Sequence, residues 1–132
     1  MIFIDDLLGA RFLSHGRNAA EGFDCYGLVI EVAKRFGHSM PDVKYKRGGM
    51  KTLASLYDYW CTDWNQEGCS EKVEETTERK ESYIVMFFEN KMAVHIGILL
   101  DEERFIHADI DGVKISNLDE YYRKDWKVYK WL

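Results

Sequence analysis

Gly22-Phe23-Asp24-Cys25-Tyr26-Gly27-Leu28-Val29 is the stretch whose reading decides the fold. Asp24 is a residue type that starts helices, because its carboxylate accepts from the free N–H groups of a first turn. A helix is predicted from about Cys25 to Phe36, with Leu28, Val29, Val32, Ala33 and Phe36 recurring on one face. Gly37 supplies the left-handed residue that helix ends commonly need, and Pro41 bars continuation. A cysteine is thereby put at a helix N-terminus. There the unpaired N–H groups and the helix dipole favour a thiolate, and the same groups can receive a tetrahedral oxyanion. Gly27 allows another backbone to approach the first turn. The bland alternative is a structural cysteine, since free Cys is among the most buried residue types.

Outward from this helix the chain changes character. On the N-terminal side, Ile2 to Phe12 is predicted as a short helix or extended lead-in interrupted by Gly9, and Ser14 to Gly22 as a loop. On the other side, Lys44 to Gly49 reads as a basic loop. A second helix is predicted over about Met50 to Asn65, where Leu53, Leu56, Tyr57, Trp60 and Trp64 share a face. Glu67 to Ser82 is charged and reads as a solvated connector or surface strand. Five β-prone runs follow: Tyr83 to Phe88, Ala93 to Leu100, Arg104 to Ala108, Val113 to Ser116 and Lys127 to Leu132. The first four have the short separators of an antiparallel meander, and Leu118 to Tyr122 reads as a helical turn. Helices before strands predict an α+β fold, with the N-terminal helices packed on an antiparallel sheet in a single domain over residues 1–132.

Two histidines fall inside the strand-like runs. Alternation in Ala93 to Leu99 puts His95 on a face with Ala93, Gly97 and Leu99, two of which are small and leave room for the imidazole. If that face meets the helix start, His95 can take the thiol proton and later protonate a leaving amine. A core histidine with its hydrogen bonds satisfied is the plain alternative. A hairpin brings His107 beside His95, where it can fix the tautomer of the base; Asp109, two residues on, competes for that role. His15 precedes Cys25 and is expected to line the site, as is Tyr26 at its mouth. His38 is expected to face solvent. Zinc held by Cys25, His95 and His107 is an alternative that no C-x-x-C or H-x-x-x-H spacing supports, and no metal is expected.

Composition narrows the function classes. The chain has 132 residues, 46% hydrophobic, 31% charged and 14% aromatic, enough for one compact core. A net charge of −5 with scattered Lys and Arg gives no footprint for nucleic acid. No run is apolar for long enough to span a membrane, and Met1-Ile2-Phe3-Ile4-Asp5-Asp6 is unlike a secretory signal peptide, so synthesis in a cytoplasm is expected. Three cysteines make no disulfide framework, and free thiols are expected over a Cys61–Cys69 bridge.

The quoted stretch resembles the nucleophile motif G-F-D-C-S-G-L-V of the NlpC-type cell-wall peptidases, a papain-like superfamily. His95-Ile96-Gly97-Ile98-Leu99 resembles that family's H-V-G-I-Y-L strand, and Phe105-Ile106-His107-Ala108 its I-H-A segment. The three motifs stand in the family's order, and the resemblance runs from about Gly9 to Leu132. It implies Cys25 as nucleophile, His95 as base and His107 as the polar third residue, with Asp24, Tyr26, Phe12 and His15 around the substrate and oxyanion region. It also implies peptidoglycan stem peptides as substrate and no cofactor. Tyr26 stands where the family often has Ser, which resembles the subset encoded in phage tail gene clusters. Phe12 stands where many members have an oxyanion-assisting Tyr, and Glu81-Ser82 where they have Gly-Asp. The implied placement is a phage or prophage tail, or delivery to the cell wall, with tail proteins as partners. Two other functions remain open on the sequence: a tail-assembly protein whose site is vestigial or used only for processing, and an amidase or acyltransferase on another substrate.

Overall fold

A computed structural model describes residues 2–42 and 73–132. The helix expected at the quoted stretch forms as α1, Cys25–Arg35. Asp24 caps it in an extended conformation, its Oδ1 accepting the Gly27 N–H at 2.7 Å. At the far end Gly37 takes a φ of 92°, and the Gly37 and His38 N–H groups donate back to Lys34 and Ala33. Before the helix lies a two-residue antiparallel ribbon, β1 (Arg17–Asn18) with β2 (Gly22–Phe23), inside the segment expected to be a loop.

Among the described residues six strands follow: β3 (Val73–Thr76), β4 (Ile84–Glu89), β5 (Met92–Leu99), β6 (Arg104–Asp109), β7 (Gly112–Asn117) and β8 (Trp126–Trp131). They form one antiparallel sheet in the order β3-β8-β4-β5-β6-β7. The expected meander is β4 to β7. Its tight turns have local causes. Asn90 and Lys91 both adopt positive φ, which suits a two-residue hairpin. The Asp101 carboxylate accepts from the Glu103 and Arg104 N–H groups and shapes the next turn. The fold class is thus α+β as expected. The helix expected over residues 50–65, the 44–49 loop and the Cys61–Cys69 question lie outside the described residues. Within the charged connector, Val73–Thr76 becomes a strand because β8 pairs with it.

The sheet is packed on both faces. α1 lays Leu28, Val29, Val32 and Ala33, each fully buried, against Ile96, Ile98, Ile106 and Ala108 of β5 and β6. Burying each of the larger of these aliphatic side chains is worth about 2 kcal/mol in transfer free energy. Val85, Phe87, Leu99, Phe105, Leu118, Tyr121 and Val128 form a second core on the other face.

The regular alternation expected for β5 is broken. Phe87 pairs with His95 but Phe88 pairs with Ala93, so Val94 is an extra, unpaired residue. Ala93 therefore joins the helix-side core, while Val94 packs with the second core. His95 lies on that second face, tilted against Phe87 with ring centroids 5.6 Å apart. The shared face of His95 and Ala93 is corrected accordingly: Gly97 and Leu99 remain with His95, and Ala93 does not.

The N-terminal segment is a series of turns rather than a helix, anchored by the buried Leu7. It then runs beside β7: the Gly9 N–H donates to the Val113 carbonyl at 3.0 Å, and the Val113 N–H to the Ala10 carbonyl at 2.9 Å. His38, expected to face solvent, is half-buried and stacks flat on Trp131 at 4.4 Å between ring centroids.

Gly27 is the tightest point between the N-terminal ribbon and α1. A Cβ there would stand 2.1 Å from the Gly16 carbonyl oxygen and 2.7 Å from Arg17 Nη1. Gly27→Ala should lower stability by about 2 kcal/mol or more, measured as the urea unfolding midpoint. An unchanged midpoint would refute this close approach.

Candidate active site

Asp24 builds the start of α1 from three directions. Oδ1 accepts from the Gly27 N–H and from Arg17 Nη1 at 3.0 Å; Oδ2 accepts from the His15 N–H at 3.0 Å. Arg17 also pairs with Asp42 at 3.1 Å. Asp24 is buried, and its carboxylate is committed to holding the backbone rather than a substrate. Phe12 bridges to Phe23 in the residues just ahead of this cap, half-buried against the helix-side core. His15 is half-buried in the same loop, with a φ of 62°. Tyr26 departs from expectation. Its side chain is buried and its hydroxyl donates to the Pro41 carbonyl at 2.7 Å, so it is a core residue and does not line a mouth.

Cys25 is the first residue of α1 and is half-buried. The expected ionised thiol is not what this setting produces. Burial of the sulfur pushes the thiol up to about 12, and the adjacent Asp24 charge adds to it. The N–H groups of Ile96, Tyr26 and Cys25 itself favour the thiolate and do not prevail. The helix start supplies the expected donors, but desolvation and the carboxylate that makes the helix start possible outweigh them. At neutral pH the group is a thiol.

On β5 and β6 the two imidazoles meet. His95 Nε2 and His107 Nδ1 are 2.7 Å apart, and His107 Nε2 is 2.8 Å from Ser116 Oγ on β7. The β5–β6 pairing covers only Ile98↔Ile106 and Leu99↔Phe105, so both rings sit just beyond the paired stretch. Gly97 makes the crossing possible: a Cβ there would lie 2.7 Å from the Phe105 ring and 3.4 Å from His107 Cβ. Tyr121 covers the pair, its ring centroid 6.2 Å from His95 and 5.2 Å from His107. Asp109, the rival orienter, bonds to neither imidazole; it accepts from the Tyr121 hydroxyl at 3.4 Å and faces Lys114 at 3.9 Å. Burial works against its charge, yet the Ile110 N–H, both histidines and Lys114 together hold its carboxyl below the usual range.

The helix start touches β5 one residue past His95. The Ile96 N–H faces the Cys25 sulfur, and His95 is the preceding residue. Among the described residues no hydrogen bond joins Cys25 to His95. Among the described residues His95 Nδ1 has no hydrogen-bond partner, yet it is not sealed from solvent; of these residues only Arg123 Nε is a buried side-chain nitrogen left unpaired. Burial, followed by the neighbouring His107, pushes His95 well below the ordinary imidazole range. Thiol and imidazole therefore rest as a neutral pair. No three His, Cys, Asp or Glu side chains among the described residues gather as a metal site requires.

Ser116 and Tyr121 were not among the residues expected at the site. Ser116 was discoverable from register: with Asp109 opposite Gly112, alternation puts Lys114 and Ser116 on the face of His107. No local signal marks Tyr121, which arrives from the turn after β7.

Two outcomes follow from these charge states. In the free protein, iodoacetamide alkylation of Cys25, followed by peptide mass spectrometry, should be slow at pH 7 and keep rising toward pH 12; a plateau from neutral pH would reveal a preformed thiolate. His107 is pushed down to about 4, by burial first and Lys114 second, against 6.5 for a free imidazole. The folded state then binds fewer protons than the unfolded chain, so this contribution to stability is complete above about pH 6.5 and is lost as pH falls through about 4. The urea midpoint should drop across that interval, and less so in His107→Gln; equal drops would exclude His107 as a source.

Comparisons with known proteins place the fold and the family. The NlpC/P60 family pattern matches residues 9–131. A crystal structure from Staphylococcus aureus subsp. aureus Mu50, described as similar to lipoprotein and of the NLP/P60 family, superposes with a TM-score of 0.64 at 21% identity. The match covers 96% of this chain and 38% of that one, so this chain spans well under half of that relative. No curated protein matches. The family is one of cysteine peptidases and amidases of the cell-wall type. With a cysteine at a helix start, two histidines on the facing sheet and the family pattern over nearly its whole length, this chain belongs to the NlpC/P60 family.

Proposed function

We propose that the protein is a cysteine hydrolase that cleaves amide bonds in peptidoglycan stem peptides through Cys25, His95 and His107. The observation that carries this reading is the hydrogen-bonded imidazole pair ending at an open His95 Nδ1, one residue from the amide that faces the Cys25 sulfur. Substrate entry has to draw sulfur and Nδ1 into contact, and the proton leaves the thiol as the sulfur attacks the carbonyl. The oxyanion then lies at the helix start, where the Cys25 and Tyr26 N–H groups face the sulfur. Phe12 contributes no hydroxyl there. His95, now protonated, gives its proton to the leaving amine. Water, deprotonated by His95, then hydrolyses the thioester. His107 orients the base throughout.

Tyr26 after the nucleophile supports placement in a phage or prophage tail, where a compact wall hydrolase would act at DNA entry. Peptidoglycan peptide and tail proteins are then its partners. One observation favours a second reading, a tail-assembly protein with a silent site: among the described residues no hydrogen bond joins Cys25 to His95, and burial holds the thiol protonated.

Digestion of purified peptidoglycan followed by mass spectrometry of the muropeptides separates the two. The wild type should release new peptide ends, and Cys25→Ala should lose at least about a thousandfold in rate while unfolding at the same midpoint. Intact muropeptides with the wild type, or equal cleavage by Cys25→Ala, would overturn the hydrolase reading.

A further inference from the structure

We infer that Ser116 is a positioning residue, whose hydroxyl sets the tautomers of His107 and His95 so that His95 keeps a bare lone pair on Nδ1. Its catalytic meaning rests on the hydrolase reading above; its structural content does not. Only one hydrogen fits between His95 Nε2 and His107 Nδ1 at 2.7 Å, and one between His107 Nε2 and Ser116 Oγ at 2.8 Å. Both rings are held neutral by burial, so each carries a single N–H. The chain therefore has two consistent settings. When Ser116 Oγ accepts, His107 is protonated on Nε2, His95 on Nε2, and His95 Nδ1 is bare. When the hydroxyl donates, every proton shifts by one place and His95 Nδ1 carries a hydrogen.

The first setting is the one the surroundings favour. His95 Nδ1 has no acceptor among the described residues, so nothing in the protein holds a hydrogen there, whereas Ser116 Oγ is in place to accept from His107. Ser116 is half-buried, so its own proton can turn toward solvent while Oγ accepts. Only this setting lets His95 receive a proton from Cys25. The imidazolium formed keeps its Nε2–H on His107, so no other proton has to move. Ser116 reaches His107 diagonally, since its direct neighbour across the ladder is Phe105.

The tautomers are read in the free protein by long-range ¹H–¹⁵N correlation of the four histidines. Wild type and Ser116→Thr should show His107 and His95 both protonated on Nε2. Ser116→Ala, whose strand pairing is backbone-only, should show a mixture. Muropeptide cleavage by Ser116→Ala should fall roughly tenfold in kcat with KM unchanged, and Ser116→Thr should restore it. Wild-type His107 protonated on Nδ1, Ser116→Ala with unmixed tautomers, or an unchanged kcat would overturn the inference. A protein that cuts no muropeptide yet shows these tautomers would sink the hydrolase reading and leave the role of Ser116 standing.

Discussion

The Asp24 carboxylate is the constraint on which the rest depends. It closes the first turn at Gly27, ties the preceding loop through the His15 N–H, and pairs with Arg17. Without it the helix start has no fixed direction, and neither does the sulfur beside it. The same negative charge opposes ionisation of that sulfur. Placement and reactivity thus pull against each other at adjacent residues. In the proposed mechanism this conflict is resolved by holding Cys25 as a thiol until a substrate carbonyl arrives, so that the proton leaves only when the attack needs it to.

The second constraint is the bulge at Val94. One unpaired residue separates what β5 gives to the helix side from what it gives to the other face. Ala93 closes against the helix-side core, while His95 joins the aromatic layer of Phe87, Phe105 and Tyr121. That layer dries the imidazole pair and keeps both rings neutral. Gly97 completes the arrangement, since any side chain there would occupy the path by which His107 reaches across.

What was legible in the sequence is what depends on neighbours along the chain. Asp24 before an apolar stripe, with Gly37 at its end, marks α1 to within a residue. The runs from Tyr83 onward, broken by Asn90-Lys91 and Asp101-Glu102-Glu103, mark the meander. The three motifs in order mark the family and the candidate residues. What depends on partners far along the chain was not legible. For Val73–Thr76 the choice between connector and surface strand, open on the sequence, is decided by pairing with β8. The Val94 bulge exists only in relation to β4. Ser116 joins the imidazoles through the register of β6 with β7. The state of the thiol required its burial, which no local pattern states. The core placement of Tyr26 required the position of Pro41.

An outer strand of a sheet presents a row of N–H and C=O groups that its one neighbouring strand does not meet. At β7 the residues around Gly9 and Ala10 bond to Val113 and cover part of that row. The opening segment thereby works as a guard against self-association: a chain trimmed back past Ala10 would offer β7 as a template for its neighbours, and would be expected to clump before it unfolds.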